Sequence, residues 1–171
     1  LVSSRGYCDD TMIMAESLDD IIVMNEVVME FCKNHHFKMN IKDKSYLTGR
    51  NGDGTEIKAN FQLKWGEQNI TKVPSSQAIR YLGAYIAADL SWTKQISTMN
   101  ASIMHVVANL RHKKTTLLQG MLIIREALGP KLEIGLRHAY IPMQILDSWD
   151  TWLISALKQR VDIISRQCED S

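Results

Sequence analysis

The residues most suited to chemistry in this sequence form the tetrapeptide Tyr7-Cys8-Asp9-Asp10. Adjacent carboxylates repel each other, and a hard divalent cation such as Mg²⁺ relieves that repulsion while keeping coordination positions open for phosphate. Side chains alternate along a strand, so Asp9 and Asp10 reach one edge together only if a tight turn brings them there. Aspartate is also common in purely structural turns. The pair by itself therefore leaves a metal site and a polar turn as alternatives.

Two extended runs flank this acidic pair, at residues 1–8 and 11–15, and they predict a tight β-hairpin. Ser17 followed by Asp20 resembles a capping pair, which predicts a helix from there to about residues 34–36. The apolar residues of this helix fall mainly on one side of a 3.6-residue period, and we expect that side to face the core. They are Leu18, Ile21, Ile22, Met24, Val28, Phe31 and Cys32.

After Phe37 the pattern becomes β-rich, and the short turn-rich links between the runs predict antiparallel strands. The runs lie at about 38–47, 57–65 and 79–86, with turns at 49–54 and 66–69. After Trp92 the period is helical. Helices are predicted over about 93–113 and 116–128, then from Gly129-Pro130, and finally from Pro142 to about Ser165. The predicted fold class is α+β, with a domain boundary near Ser91.

Composition excludes several classes of protein. The 171 residues are 45% hydrophobic and 23% charged, which is the balance of a globular domain rather than of a disordered chain. Cys8, Cys32 and Cys168 are widely spaced and contain no Cys-x-x-Cys, so neither a disulfide framework nor a zinc site is indicated. We expect a reducing, intracellular setting, cytoplasmic or nuclear. No apolar run approaches the roughly 18 residues of a membrane span, so we expect no membrane partner.

Five motifs follow one another along the chain in a fixed order. They are Tyr7-Cys8-Asp9-Asp10, Glu30-Phe31-Cys32, Phe37-Lys38-Met39-Asn40 with Lys44-Ser45, Arg80-Tyr81-Leu82-Gly83-Ala84, and Asp89-Leu90-Ser91-Trp92. In this order they resemble the second half of a reverse transcriptase, an RNA-directed DNA polymerase, of the type encoded by non-LTR (LINE-like) retrotransposons. The resemblance implies a partial palm domain over residues 1–92, with the Tyr-x-Asp-Asp hairpin and primer-grip-like strands, and a helical thumb-like domain over residues 93–171.

The resemblance also implies roles for individual residues. Asp9 would bind both Mg²⁺ ions of a two-metal nucleotidyl transfer, with Asp10 as the supporting carboxylate and Mn²⁺ as an alternative metal. Lys44 would lie near the leaving pyrophosphate, with Lys42 as the alternative, because three residues separate Asn40 from Lys44 where two are expected. Tyr81, Leu82 and Gly83 would support the primer backbone. The partners implied are an RNA template, an RNA–DNA hybrid and a dNTP.

Each of these roles has a structural alternative. Lys38, Lys42 and Lys44 also fit a solvated face, and Tyr81-Leu82-Gly83 also fits a core strand with a bulge glycine. In the family a further catalytic aspartate and a nucleotide-selecting loop lie upstream of the hairpin, whereas six residues precede Tyr7 here. A single acidic hairpin leaves each cation short of ligands. We therefore expect the chain by itself to lack polymerase activity.

The net charge of +1 is an average over three unlike segments. Residues 1–92 carry 10 Lys and Arg against 12 Asp and Glu, residues 93–142 carry 7 against 2, and residues 143–171 carry 3 against 5. The seven cations of the middle segment are candidates for binding the phosphates of a duplex, with a solvated helix surface as the alternative. They are Lys94, Arg111, Lys113, Lys114, Arg125, Lys131 and Arg137.

A second class of function stays open beside the polymerase. The chain could be a non-catalytic retroelement remnant that acts as a nucleic-acid-binding or protein-interaction module. Apolar surface left exposed on the 18–34 helix or on the last helix would favour self-association or a partner.

Overall fold

The computed structural model describes residues 3–7, 10–41, 45–57 and 61–169. Its backbone contacts divide the chain into two compact units, residues 1–82 with 87–90, and residues 83–86 with 91–171. Helices and short strand pairs occur together, so the mixed α and β class predicted from the sequence is confirmed. The assignment of the two predicted domains as palm and thumb stays a prediction.

The first unit begins with the predicted hairpin. Strands β1 (Ser3–Tyr7) and β2 (Asp10–Met14) pair antiparallel, from Ser3 opposite Met14 to Tyr7 opposite Asp10. The hairpin prediction is confirmed, with one correction of register. Asp10 belongs to β2 instead of lying between the strands, because it pairs with Tyr7.

Helix α1 (Leu18–Asn34) follows, and its start is the predicted one. The Ser17 hydroxyl accepts a hydrogen bond from the Asp20 N–H at 3.1 Å, which satisfies one of the unpaired donors of the first turn. The buried residues of α1 are Asn25 and Cys32. Ile22 is 38% exposed and Phe31 is 52% exposed, so their predicted places facing the core are wrong. The Phe31 ring instead packs locally, with centroids 4.3 Å from His35 and 6.0 Å from Phe37.

The β-rich stretch of the first unit contains much shorter strands than the sequence suggests. They are β3 (Tyr46–Leu47), β4 (Lys64–Trp65), β5 (Gln68–Asn69) and β6 (Thr71–Lys72). Strands β4 and β5 form an antiparallel pair around Gly66-Glu67, where Gly66 takes a φ of 59° that suits glycine. Strands β3 and β6 pair in parallel, so the expectation of antiparallel strands throughout is wrong.

Polar contacts close the loop between β3 and β6. The two Glu56 carboxylate oxygens accept the Ser75 N–H at 3.0 and 3.1 Å, and one of them also accepts the Ser75 hydroxyl. The Arg50 Nε donates to the same hydroxyl at 2.9 Å. Hydrogen bonds from the Ser75 side chain, then from its backbone, lower the pKa of Glu56 from its ordinary value of 4.5. These bonds connect Arg50 and Glu56, which lie between β3 and β6, to Ser75 just after β6.

The predicted β-rich run at 79–86 is a hairpin. Strands β7 (Ile79–Tyr81) and β8 (Ala84–Ile86) form a two-stranded sheet. Leu82 and Gly83 between them have φ values of 46° and 85°, the positive pair that two-residue hairpin turns favour.

The second unit is a helical bundle around one apolar core. Its helices are α2 (Thr93–His112), α3 (Leu117–Leu122), α4 (Gly129–His138) and α5 (Met143–Glu169). A capping box between Thr116 and Gln119 opens α3, as the predicted start at residue 116 requires. The buried core comprises Met99, Ile103, Val106, Val107, Leu110, Leu128, Leu132, Trp149 and Ala156.

A π-helical turn over Ile123–Leu128 joins α3 to α4 without a break. Pro130 has no N–H and its ring would clash with the carbonyl four residues earlier. The wider turn accommodates it, since the Gly129 N–H reaches back five residues to the Ile124 carbonyl. The predicted boundary is confirmed, since one helical segment ends at Leu128 and the next begins at Gly129 with Pro130 in its first turn, although the two follow each other without a break.

Among the helices that the structure describes, none is both long and apolar enough to cross a membrane.

Candidate functional site

The described carboxylate of the acidic motif is that of Asp10, at the start of β2. Asp10 is the first residue of β2 and its side chain is exposed to solvent. Asp9 and Cys8 lie outside the described residues. Over the described ranges, the His, Cys, Asp and Glu side chains form no group of three or more that could hold a metal ion. The described part of the hairpin thus offers fewer oxygens than Mg²⁺ takes, so the predicted roles of Asp9 and Asp10 stay predictions.

The lysine expected near the leaving group cannot be placed. Lys44 and its alternative Lys42 both lie outside the described residues. Next to this stretch, the Ser45 hydroxyl donates a hydrogen bond to the Asn40 carbonyl at 3.0 Å. The role of Lys44 stays a prediction.

The primer-grip candidates lie at the β7–β8 hairpin. Tyr81 ends β7, and Leu82 and Gly83 form its turn. Leu82 is 41% exposed and has a left-handed backbone, which is uncommon for a bulky residue. Gly83 is constrained twice, by its positive φ and because a Cβ there would lie 3.2 Å from the Ile134 Cδ1. The glycine is therefore explained by turn geometry, and its role toward a primer stays a prediction.

All seven cations predicted for duplex binding are exposed on the second unit, but three of them have partners within it. The Lys94 ammonium lies 5.6 Å from the centre of the Tyr85 ring. Arg125 pairs with Glu126 at 3.2 Å, and Arg137 pairs with Glu133 at 2.6 Å. Part of the positive charge in this segment is therefore already compensated locally.

The other four cations make no ion pair with any described carboxylate; they are Arg111, Lys113, Lys114 and Lys131. The first three cluster at the carboxyl end of α2, where the partial negative charge of the helix favours cations. Helix α2 contains no aspartate or glutamate in its 20 residues. The positive potential at this helix end is therefore not offset from within the helix.

A surface cleft of about 670 Å³ adjoins this cluster. It is lined by Arg111 of α2 and by Thr151, Ile154, Ser155, Lys158 and Gln159 of α5. The sequence reasoning missed Lys158 because the 143–171 segment is acidic on average. The spacing of Thr151, Ser155 and Lys158 could have revealed it, since residues at i, i+4 and i+7 share one face of a helix.

Comparisons of the chain with family models, with curated proteins and with solved structures find no match. The resemblance to a reverse transcriptase therefore depends on the five motifs alone.

Proposed function

We propose that this chain takes part in RNA-templated DNA synthesis, as a portion of a reverse transcriptase of the non-LTR type. The register of the acidic hairpin carries the proposal, because Tyr7 pairs with Asp10 and leaves two residues between the strands. A two-residue connection is the tightest common hairpin link. It would keep the Tyr-x-Asp-Asp motif at one end of the strand pair, where the exposed Asp10 is accessible to a cation.

In this proposal Asp9 and Asp10 hold Mg²⁺. Bound there, the metal would supply Lewis-acid activation of a primer 3′-hydroxyl and stabilise charge on pyrophosphate. Two carboxylates leave most of an octahedral coordination shell to water, to phosphate and to carboxylates from elsewhere. We therefore expect metal binding by this chain without primer extension by this chain alone.

The second unit supports the nucleic-acid side of the proposal. Exposed cations attract phosphates without reading sequence, and an A-form hybrid is recognised mainly by its backbone and shape. The cluster of Arg111, Lys113 and Lys114 supplies three such charges within four residues. Lys131, in the first turn of α4, adds a fourth.

Paramagnetic broadening by Mn²⁺ tests the hairpin. We expect Mn²⁺ to broaden the amide signals of Asp10 and Thr11 before other signals, and the Asp9→Asn/Asp10→Asn variant to abolish that effect. The matched control is Asp19→Asn/Asp20→Asn, which removes an equally adjacent carboxylate pair from the first turn of α1. Equal broadening at residues 19–20 and at the hairpin would contradict a specific metal site.

Primer extension tests the catalytic expectation. On an RNA template with Mg²⁺ or Mn²⁺, we expect the isolated chain to add no nucleotide. Extension that disappears in the Asp9→Ala variant would contradict the view that this hairpin needs further carboxylates.

The second candidate function is a non-catalytic nucleic-acid-binding module. It is favoured by the exposed Arg111, Lys113, Lys114 and Lys131, none of which forms an ion pair with a described carboxylate. This candidate predicts hybrid binding by the second unit with no Mn²⁺ effect at the hairpin. A protein-interaction role or self-association is favoured by exposed apolar side chains, among them Val23, Val27 and Phe31 of α1.

A further inference from the structure

The cleft between the end of α2 and the middle of α5 combines charge and donors on two helices. Arg111 contributes a guanidinium and Lys158 an ammonium, and both side chains are exposed. Neither forms an ion pair with the described carboxylates. The two positive charges therefore stay available to an anion that enters the cleft.

Neutral groups of α5 complete the polar lining. The Thr151 hydroxyl already donates to the Asp147 carbonyl at 2.8 Å, which leaves the Ser155 hydroxyl and the Gln159 amide as the neutral donors. Arginine matches phosphate with its planar fork, and lysine adds a mobile point charge. A phosphate monoester carries close to two negative charges at neutral pH, whereas a backbone phosphodiester carries one. The two cations of the cleft therefore match the monoester better in charge.

The size and one wall of the cleft favour a ligand larger than inorganic phosphate. Its volume of about 670 Å³ falls within the roughly 300–1,000 Å³ typical of small-molecule sites. The Ile154 side chain, which is 51% exposed, forms an apolar part of the lining. A sugar or base could cover that surface while the phosphate meets the cations.

We infer that this cleft binds the phosphate monoester of a nucleotide, supplied either by a free nucleotide or by the 5′ end of a strand. The two sources present the same chemical group. The inference requires neither a metal at the acidic hairpin nor duplex binding, so it stands or falls separately from the proposed function.

Titrations of the full chain at about pH 7.5, where the monoester is largely dianionic, test the inference. The probes are AMP, a short 5′-phosphorylated single strand and the same strand with a 5′-hydroxyl. We expect a phosphorylated probe to bind more tightly than the hydroxyl strand, and Lys158→Gln or Arg111→Gln to weaken it about tenfold or more. The matched control is Lys33→Gln, which removes the same charge from an exposed position of α1 outside the cleft and should change this binding little.

The three probes distinguish a free nucleotide from the 5′ end of a strand, and their results can overturn the inference. Binding of AMP identifies a free nucleotide as a ligand, whereas preference for the phosphorylated strand alone identifies a strand end; either result supports the inference. It is overturned if the phosphorylated and hydroxyl strands bind equally and AMP does not bind. It is also overturned if Lys158→Gln and Lys33→Gln have the same effect. Both lysines are exposed, so folded variants are expected, and their circular dichroism provides the check.

Discussion

Each of the two compact units is stabilised internally by a different kind of interaction. In the second unit, residues from α2, α4, α5 and the π-helical turn share one buried apolar cluster. In the first unit, strands β3 to β6 are two residues long, and side-chain hydrogen bonds such as those of Asn25 and Glu56 connect its segments. The predicted basic surface therefore belongs to the unit with a packed apolar core, whereas the acidic hairpin belongs to a unit with little regular sheet.

The long helices of the two units also differ in charge. Helix α1 carries Asp19 and Asp20 in its first turn, whereas α2 contains no acidic residue and has a cluster of cations at its end. Charged groups on a well-packed helix keep their positions at low entropic cost. Recognition of phosphate therefore fits the second unit better than the first.

The largest effect on stability is expected from a substitution where the helices of the second unit pack tightly. A Cβ on Gly135 would overlap the Met99 Sδ and lie 2.5 Å from the Gln95 Nε2, and both partners are buried. We expect Gly135→Ala to lower the free energy of unfolding by about 1–3 kcal/mol, because an overpacked core must shift. Urea unfolding followed by circular dichroism measures this.

The control for that prediction is a glycine with open space around it. A Cβ on Gly52 would meet no group within 4 Å outside its immediate chain neighbours. Gly52→Ala should change the free energy of unfolding by no more than about 0.5 kcal/mol. Equal destabilisation by both substitutions would show that α4 does not pack against α2 through Gly135.

A smaller effect on stability is expected from removing a buried side-chain amide of the first unit. Asn25 is 5% exposed, and its Nδ2 donates to the Lys64 carbonyl at 2.8 Å, which ties α1 to β4. We expect Asn25→Ala to cost about 1–2 kcal/mol, because it removes a bond and leaves a buried acceptor unpaired. Val23→Ala, on the exposed side of the same helix, should stay within about 0.5 kcal/mol. A neutral Asn25→Ala would mean that polar contacts do not hold this unit together.

The smallest effect on stability is expected from removing the charge of Glu56, and this effect should depend on pH. Hydrogen bonds from Ser75 lower the pKa of Glu56 in the folded chain, so the ionised group stabilises the fold above its ordinary value of 4.5. That contribution is lost as the pH falls from 4.5 through the lowered pKa. We expect Glu56→Gln to lower the melting temperature near neutral pH and the difference from wild type to shrink on acidification. An equal effect of Glu67→Gln, on the exposed Gly66-Glu67 turn, would contradict a specific role for the Ser75 contacts.

The sequence predicted best those features that depend on local chemistry. Ser17 and Thr116 cap helices where a hydroxyl before an apolar period predicts them, and Pro142 precedes α5. Hydroxyl capping and proline geometry act within a single turn, so one segment contains the whole signal.

The features that the sequence did not reveal depend on distant partners. Strand β3 pairs with β6 in parallel, and Glu56 of the intervening loop bonds to Ser75 just after β6; no local pattern encodes either contact. Phe31 has the spacing of a core residue yet packs against His35 and Phe37. Lys158 joins Arg111 only through the meeting of α2 and α5. The site candidates at Asp9 and Lys44 were drawn from resemblance and stay predictions.

The most direct test of the basic surface is the salt dependence of hybrid binding. The probe is a blunt RNA–DNA hybrid with 5′-hydroxyl ends, which keeps the terminal-phosphate cleft out of the measurement. If Arg111, Lys113, Lys114 and Lys131 contact phosphates, the logarithm of the association constant should fall against the logarithm of salt concentration with a slope of about −3 to −4. Lys113→Ala/Lys114→Ala should reduce the magnitude of that slope by about 2, whereas Lys33→Ala/Lys38→Ala in the first unit should leave it unchanged. No binding at low salt, or equal losses from the two double variants, would contradict the account.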